Sequence, residues 1–266
     1  MINVPALFAR LSAGILAIAI MACVVQADTV IQVNLNVAVT GLFGDQVSSY
    51  QVQLFDQEAP ITVANFLNYA NTNSYNNTIF HRDVPGFIIQ GGGFKENLDP
   101  TGKVILSFDP IATNPAIQNE FSASRSNLRG TVAMAKLGND PNSATDQWFI
   151  NLANNSSNLD NQNGGFTVFG HVVGEGMELI DAAAALPTSN INNKYFPSDI
   201  QNGPFTDVPI DWVHQVPNDP NSPLIAVFVT VLNTNVIPTV AWKGGAALTP
   251  TNWDTPANWG TGSSVP

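Results

Sequence analysis

The chain has 266 residues, of which 44% are hydrophobic and only 11% are charged, and its formal net charge is −11 at pH 7. This composition can form a packed core, so disorder throughout is disfavoured. With nine Lys and Arg residues in all, the chain has no basic footprint for nucleic acid and no polybasic membrane patch, and we expect no nucleic-acid partner.

The N-terminal segment, residues 1–27, has the pattern of a signal peptide. A single cation, Arg10, precedes an apolar run over residues 11–25. The run is shorter than the ~20 residues that a membrane-spanning helix needs. We therefore expect export to the periplasm or beyond the cell, with cleavage after Ala27. The alternative is a lipoprotein signal ending at Cys23, which would anchor the protein to lipid.

The cysteine and histidine content argues against metal chemistry. Cys23 is the only cysteine, so cleavage after Ala27 would leave a mature chain without disulfides or thiol ligands. The three histidines, His81, His171 and His214, are far apart and lack the spacing of metal ligands. We expect no metal and no other cofactor.

The elements that follow indicate a mainly β chain. Residues 29–55 alternate in part and predict a hairpin, and residues 60–70 have helical spacing with a proline in the first turn. Short apolar runs over 78–173, separated by Gly, Asn, Asp and Pro, predict antiparallel strands. A second helix is predicted over 175–186, and a last strand over 224–232. Many strands and two helices suggest a closed β architecture.

The C-terminal stretch, residues 234–266, changes in character because it is dense in Gly, Pro, Thr and Trp. We treat it as a separate piece. Two interpretations stay open: the start of a secreted β-rich region that the sequence cuts short, or a disordered tail. The domain prediction is thus a signal peptide over 1–27, a main domain over 28–233 and a tail over 234–266.

One segment is far more specific than the rest. Residues 80–94 read FHRDVPGFIIQGGGF, which resembles the signature of the cyclophilin-type peptidyl-prolyl cis/trans isomerases at Phe-His-Arg, Pro-Gly-Phe and Gln-Gly-Gly. The resemblance covers roughly residues 29–233. It implies a closed eight-stranded antiparallel β-barrel capped by two helices, and an isomerase of X-Pro bonds. Four further segments follow in the family's order, at 59–66, 129–135, 146–151 and 167–172.

The chemistry of such an enzyme explains why these residue types recur. Rotation about an X-Pro bond must overcome a barrier of ~18–20 kcal/mol that comes from the partial double bond. A donor near the prolyl nitrogen weakens that resonance, and Arg82 can supply it because a guanidinium stays charged and carries several N–H groups. Gln90 lies on a predicted strand, where it can hold Arg82 or the substrate carbonyl. His81, next to Arg82, should point to the opposite face and be structural.

The resemblance also implies a binding pocket for the proline ring. Substrate-binding positions carried over to this sequence are Phe87, Ile88, Ala135, Gln147, Phe149, Leu159 and Phe166. The backbone N–H of Lys136 is expected to bind the rotating carbonyl. The glycines at 91–93 are not followed by Lys-Ser/Thr, so a phosphate-binding loop is disfavoured.

Asn158 departs from the family pattern, because many cyclophilins have Trp at this position. The change removes a ring and an indole donor, and we expect weak or no cyclosporin binding. The expected partners are proline-containing unfolded or flexible polypeptides, bound by a monomer that assists the folding of exported proteins. A non-catalytic proline-peptide binding module of a larger cell-surface protein is the alternative.

Overall fold

The computed structural model describes residues 28–35, 48–98, 100, 105–192, 204–210, 226–231, 240–242 and 259–261. The predicted signal peptide with Cys23, the third histidine and most of the C-terminal tail lie outside the described residues. Among the helices that are described, none has both the length and the apolar character needed to cross a membrane.

Most of the described chain is β structure. The strands are β1 Val30–Leu35, β2 Ser48–Leu54, β3 Thr78–Ile79, β4 Arg82–Val84, β5 Ile88–Gly91, β6 Phe94–Leu98, β7 Ile105–Pro110, β8 Thr131–Met134, β9 Trp148–Asn151, β10 Val168–Val173, β11 Thr188–Ser189, β12 Val208–Pro209, β13 Ala226–Val231, β14 Val240–Trp242 and β15 Trp259–Thr261. Eleven of them form one sheet in the order β4-β5-β9-β8-β10-β2-β1-β13-β3-β6-β7, while β11 pairs with β12 and β14 pairs with β15.

The ends of this order show that the sheet curls. Strands β3 and β4 belong to one chain segment and are separated only by Phe80 and His81. Yet β3 pairs with β13 and β6, whereas β4 pairs with β5 on the far side of the order. A flat sheet could not bring the first and the ninth strands of the order to neighbouring residues, so the sheet wraps around. The fold is mainly β, as the sequence predicted.

The predicted hairpin and last strand are both present. Strands β1 and β2 pair antiparallel, with Val30 opposite Gln53 and Leu35 opposite Ser48. Alternating residues of β1 are buried, as expected for a strand with one face on the core. Strand β13 lies within the predicted 224–232 and pairs with β1, so two distant parts of the chain complete this side of the sheet.

Three helices are described: α1 Pro60–Asn71, α2 Ser156–Leu159 and α3 Gly176–Ala184. The first and third confirm the two predicted helices, with ends that differ by at most two residues. Proline opens α1, where a missing N–H costs nothing. The single-turn α2 was not predicted, because four residues are too few to show a period.

The main core lies between the sheet and the long helices. Helix α1 buries Phe66 and Tyr69, and the Phe66 ring meets Trp148 edge-on at 6.2 Å between centroids. Tyr75 and Phe80 also contact the Trp148 ring edge-on. These aromatic contacts fix strand β9, which carries Trp148 on its core side and the neighbouring Phe149 on the other side.

Candidate active site

The candidate site is a row of residues that crosses four adjacent strands. Arg82 on β4 lies opposite Gln90 on β5, and Gln90 lies opposite Phe149 on β9. Phe149 lies opposite Ala133 on β8. Residues directly opposite in an antiparallel sheet project from the same face. We call this the front face, and the reverse side of the same strands the back face.

An apolar cluster lies on the front face, and we call it the pocket cluster. The rings of Phe149 and Phe166 meet edge-on, with centroids 5.8 Å apart. All six apolar positions that the resemblance predicted for substrate binding belong to this cluster, although they come from separate segments. Its buried members are Ile88, Ala133, Phe149, Leu159 and Val168, and the half-buried residues that pack against them are Phe55, Phe87, Ala135 and Phe166.

Sequence reasoning missed three members of the pocket cluster. Ala133 stands two residues before Ala135, and Val168 stands two residues after Phe166. The period of two along a strand is a signal that could have identified both. Phe55 follows the end of β2, and no pattern in the sequence connects it with this cluster.

Arg82 is half-buried at the edge of the row. Within the described part of the chain, its guanidinium has no hydrogen-bond or ion-pair partner. By contrast, Arg125 is bound to backbone carbonyls and Arg129 pairs with Asp181. The N–H groups of Arg82 are therefore available to a ligand that lies over the front face.

Gln90 and Gln147 form a pair beside Arg82. The side-chain amide of Gln90 donates to Oε1 of Gln147 over 2.8 Å. The sequence had offered Arg82 or the substrate carbonyl as the partner of Gln90. In the structure, the described partner of the Gln90 side chain is Gln147. Gln147 is half-buried and lies beside the row through its hydrogen bond to Gln90.

The glycines at 91–93 serve close packing. A Cβ on Gly92 would come within 2.8 Å of the Trp148 ring, and its φ of +89° is unfavourable for other residues. A Cβ on Gly93 would come within 2.7 Å of the Gln147 side chain. The absence of side chains here lets Gln147 reach Gln90.

Lys136 follows directly after the pocket cluster residue Ala135, whose own N–H donates to the carbonyl of Gln147 over 2.9 Å. No carbonyl or side chain in the described ranges accepts the backbone N–H of Lys136. This donor is therefore free for a ligand, as its predicted role requires. Asn158 lies exposed on α2, one residue before the pocket residue Leu159.

The back face of β4 is different because it is buried. The His81 ring contacts Phe94 edge-on at 5.0 Å, and burial, together with the charge of Arg82, lowers the His81 pKa to about 4. Asp83 is 1% exposed, and neither carboxylate oxygen has a hydrogen-bond partner among the described residues. Burial and the negative charge of Asp207 raise the pKa of Asp83 to about 7. His81 thus lies where the alternation predicted.

A metal centre is not visible in the part of the chain that the structure describes. No three His, Cys, Asp or Glu side chains in those residues are grouped closely enough to hold an ion.

Comparisons with known proteins agree with this geometry. The family model "Cyclophilin type peptidyl-prolyl cis-trans isomerase/CLD" matches residues 45–211. A peptidyl-prolyl cis-trans isomerase of Acinetobacter baylyi is 43% identical over 144 residues, which are 54% of this chain and 70% of that protein. Peptidyl-prolyl cis-trans isomerase A of Dickeya dadantii is 39% identical over 170 residues, 63% of this chain and 77% of the relative.

A solved structure supports the fold. The crystal structure of a cyclophilin-type isomerase from Cryptosporidium parvum superposes with a TM-score of 0.50 at 22% identity, and the match covers 77% of this chain and 98% of that one. The family match extends over more than half of the chain and includes every residue of the front-face row. The protein therefore belongs to the cyclophilin-type peptidyl-prolyl cis-trans isomerases.

Proposed function

We propose that the front face is the isomerase site and that Arg82 is its central catalytic residue. The observation that carries the proposal is the row itself, in which a guanidinium without a described partner stands in register with the residues of an apolar pocket. Such a row offers both things that the reaction needs, a cationic donor and a slot for a pyrrolidine ring. The substrates are proline-containing unfolded or flexible polypeptides.

The mechanism follows from the electronic structure of the X-Pro bond. An N–H of Arg82 donates to the prolyl nitrogen and draws its lone pair out of resonance with the carbonyl, so the C–N bond gains single-bond character. The proline ring stays in the pocket cluster between Phe149, Leu159 and Phe166 while the preceding carbonyl turns. A thousandfold acceleration needs about 4 kcal/mol, which is within the range of one or two charged hydrogen bonds.

The rotating carbonyl needs its own donor. The backbone N–H of Lys136 can provide it, since it is unpaired within the described residues. Gln147 aligns Gln90 through their hydrogen bond, and Gln90 in turn borders Arg82. In this proposal the two glutamines keep the groove beside the prolyl nitrogen polar, and no cofactor is required.

We extend the proposal to the fold and the cellular setting. In this proposal, the segment made of β3 and β4 would form a closed eight-stranded barrel with β5, β9, β8, β10, β2, β1 and β13, and α1 and α3 would cap it. The isomerase domain would span 28–233. The signal-like segment 1–27 supports a role in the folding of exported proteins, either free or anchored through Cys23, and we propose that the protein acts as a monomer.

The test uses the full chain and its Arg82→Ala and Arg82→Lys variants in a cis-to-trans assay on a proline tetrapeptide. We expect kcat/KM to fall at least ~10-fold in Arg82→Ala, a loss of about 1.4 kcal/mol or more. Lys keeps the charge but not the planar fork, so its activity should lie between the other two. Stability should change little, because the Arg82 side chain has no partner in the described structure. A wild-type chain that folds and binds the peptide without accelerating rotation would instead support a non-catalytic binding module.

A further inference from the structure

The side chain of Lys136 makes contacts that the backbone role does not require. Its ammonium nitrogen donates to the carbonyl oxygens of Asn163 at 2.7 Å and Gly165 at 2.6 Å. The same nitrogen lies 4.8 Å from the centre of the Phe166 ring. A cation over a ring face is attracted by the ring quadrupole, and charged donors strengthen hydrogen bonds to carbonyls. One flexible side chain thus binds a turn and the aromatic residue that follows it.

The turn under Lys136 has a left-handed backbone conformation. Asn163, Gly164 and Gly165 have φ values of 50°, 73° and 75°, all in the left-handed region. Glycine adopts this region readily and Asn tolerates it, so contacts from other segments decide how firmly the turn is held in place. The Asn119 amide donates to the carbonyls of Gly164 at 2.8 Å and Gly165 at 3.1 Å, and Lys136 donates to those of Asn163 and Gly165.

The turn matters for the reaction because it leads directly into Phe166. That ring forms a wall of the pocket cluster and meets Phe149 edge-on. Lys136 therefore connects two loops of the site: its own backbone N–H lies in one, and the pocket wall lies in the other. A shift of the turn would move Phe166 relative to Phe149 and change the width of the pocket.

We propose that the Lys136 ammonium group is a positioning group that holds Phe166 in the wall of the proline pocket. It acts through Phe166 and the turn at 163–165 and does not touch the substrate. This inference rests on the proposed function, because it assumes that the pocket cluster binds the proline ring.

The charge of Lys136 gives the proposal a pH signature. Burial lowers the Lys136 pKa to about 8, and the negative charge of Asp140 on the same loop partly opposes that shift. The turn at 163–165 carries no charged residue, and Asp160 before it accepts hydrogen bonds from the backbone and side chain of Asn127. As pH rises through 8, the ammonium loses its proton. Its attraction to the Phe166 ring and its hydrogen bonds to the carbonyls of the turn then weaken. An arginine would keep its charge throughout.

The experiment compares Lys136→Met and Lys136→Arg with the wild-type full chain between pH 6.5 and 9.5. Lys95→Met is the matched control, because Lys95 is exposed on β6 and away from the front-face row. We measure kcat/KM for the proline tetrapeptide, its Kd by NMR titration, and Tm. We expect Lys136→Met to lose roughly tenfold in kcat/KM and in peptide affinity at pH 7. Wild-type activity should fall toward that of Lys136→Met above pH 8, and Lys136→Arg should stay active there.

The possible outcomes separate this inference from the function on which it rests. If Lys136→Met matches the wild type in kcat/KM, Kd and pH profile while Arg82→Ala is impaired, the positioning role is wrong and the proposed site stands. If Lys136→Met loses only Tm, with unchanged Kd and pH profile, the contact is structural and the inference is again overturned. If Arg82→Ala is as active as the wild type, the proposed function fails, and a loss of peptide affinity in Lys136→Met would still support the positioning role.

Discussion

The two faces of strands β4, β5 and β9 use neighbouring residues in opposite ways. On the front face, Arg82 is half-buried with no described partner, and the adjacent pocket cluster is open enough for Phe87 and Phe166 to remain partly exposed. On the back face, Asp83 and Ile150 are almost completely buried. Side chains alternate between the two faces along each strand, although the residues of β9 are buried on both faces.

The comparison indicates that the back face of these strands stabilises the fold, while the front face carries the proposed site. The back face joins the main core, where aromatic rings contact Trp148 on several sides. That packing fixes the backbone, so the front-face row is in register without needing strong contacts of its own. Truncating a buried residue on either face should therefore lower stability, and only substitutions on the front face should also change activity.

The sharpest comparison is between Phe149→Ala and Ile150→Ala, because these neighbours on β9 are both buried and point to opposite faces. Truncating either side chain should cost about 2–5 kcal/mol in the free energy of unfolding. Only Phe149→Ala should also lower kcat/KM per folded molecule, by about 30-fold or more, since it removes the pocket wall. Urea unfolding and the proline tetrapeptide assay measure the two effects. Equal activity losses in both variants would contradict the division between the faces.

Much of the front face could be predicted from the sequence, and the reason is local. Arg82, Phe87, Ile88 and Gln90 belong to one continuous motif, so the resemblance placed them directly. The contact of Lys136 with Phe166 could not be predicted, because it depends on how two loops meet across the fold.

The burial of Asp83 was equally out of reach for sequence reasoning. The period of two indicates that Asp83 and Arg82 face opposite ways, but not that Asp207 from a distant segment lies beside Asp83. Strand pairings such as β1 with β13 also join residues about two hundred positions apart, and periodicity gives their direction but not their partner. Local patterns predicted the elements, and long-range packing decided the environment of each titrating group.

Asp83 offers a test of the back face through pH. Its carboxyl group is ionised above about pH 4 in the unfolded chain but stays protonated up to about pH 7 in the folded one. The unfolded state therefore binds fewer protons between these values, and this group lowers stability as pH rises through that window. In Asp83→Asn that loss should disappear. Between pH 4 and pH 7, the free energy of unfolding of the variant should therefore rise by on the order of 3 kcal/mol relative to that of the wild type.

The measurement is urea unfolding at several pH values, with Glu178→Gln as the control because Glu178 is exposed on α3. His81 also makes the free energy of unfolding depend on pH, between its ordinary pKa of 6.5 and its lowered pKa of about 4. This contribution is the same in wild type and variant, so it cancels in the difference. If the free energies of unfolding of wild type and Asp83→Asn change with pH in the same way, Asp83 is ionised in the folded protein and the expectation is wrong.

A smaller effect is expected at the rim of the front face. Asn158 is exposed on α2 beside Leu159, where many family members carry a Trp. Restoring the ring in Asn158→Trp should tighten cyclosporin binding by about tenfold, in keeping with the value of one aromatic contact and an indole donor. Isothermal titration calorimetry measures the cyclosporin affinity. Ser157→Trp is the control, because it places a ring at the neighbouring exposed position of α2 and shows whether the effect depends on position 158. Tight cyclosporin binding by the unmodified chain would contradict the expectation.

The central claim, that substrate binds on the front face, is tested most directly with isoleucine methyl groups. Ile88 belongs to the pocket cluster on the front face, while Ile89 and Ile150 point into the main core on the back face. In an NMR titration of methyl-labelled protein with a proline tetrapeptide, we predict that the Ile88 signal shifts strongly and that those of Ile89 and Ile150 shift little. An unchanged Ile88 signal at saturating peptide would place the binding site elsewhere and contradict the account.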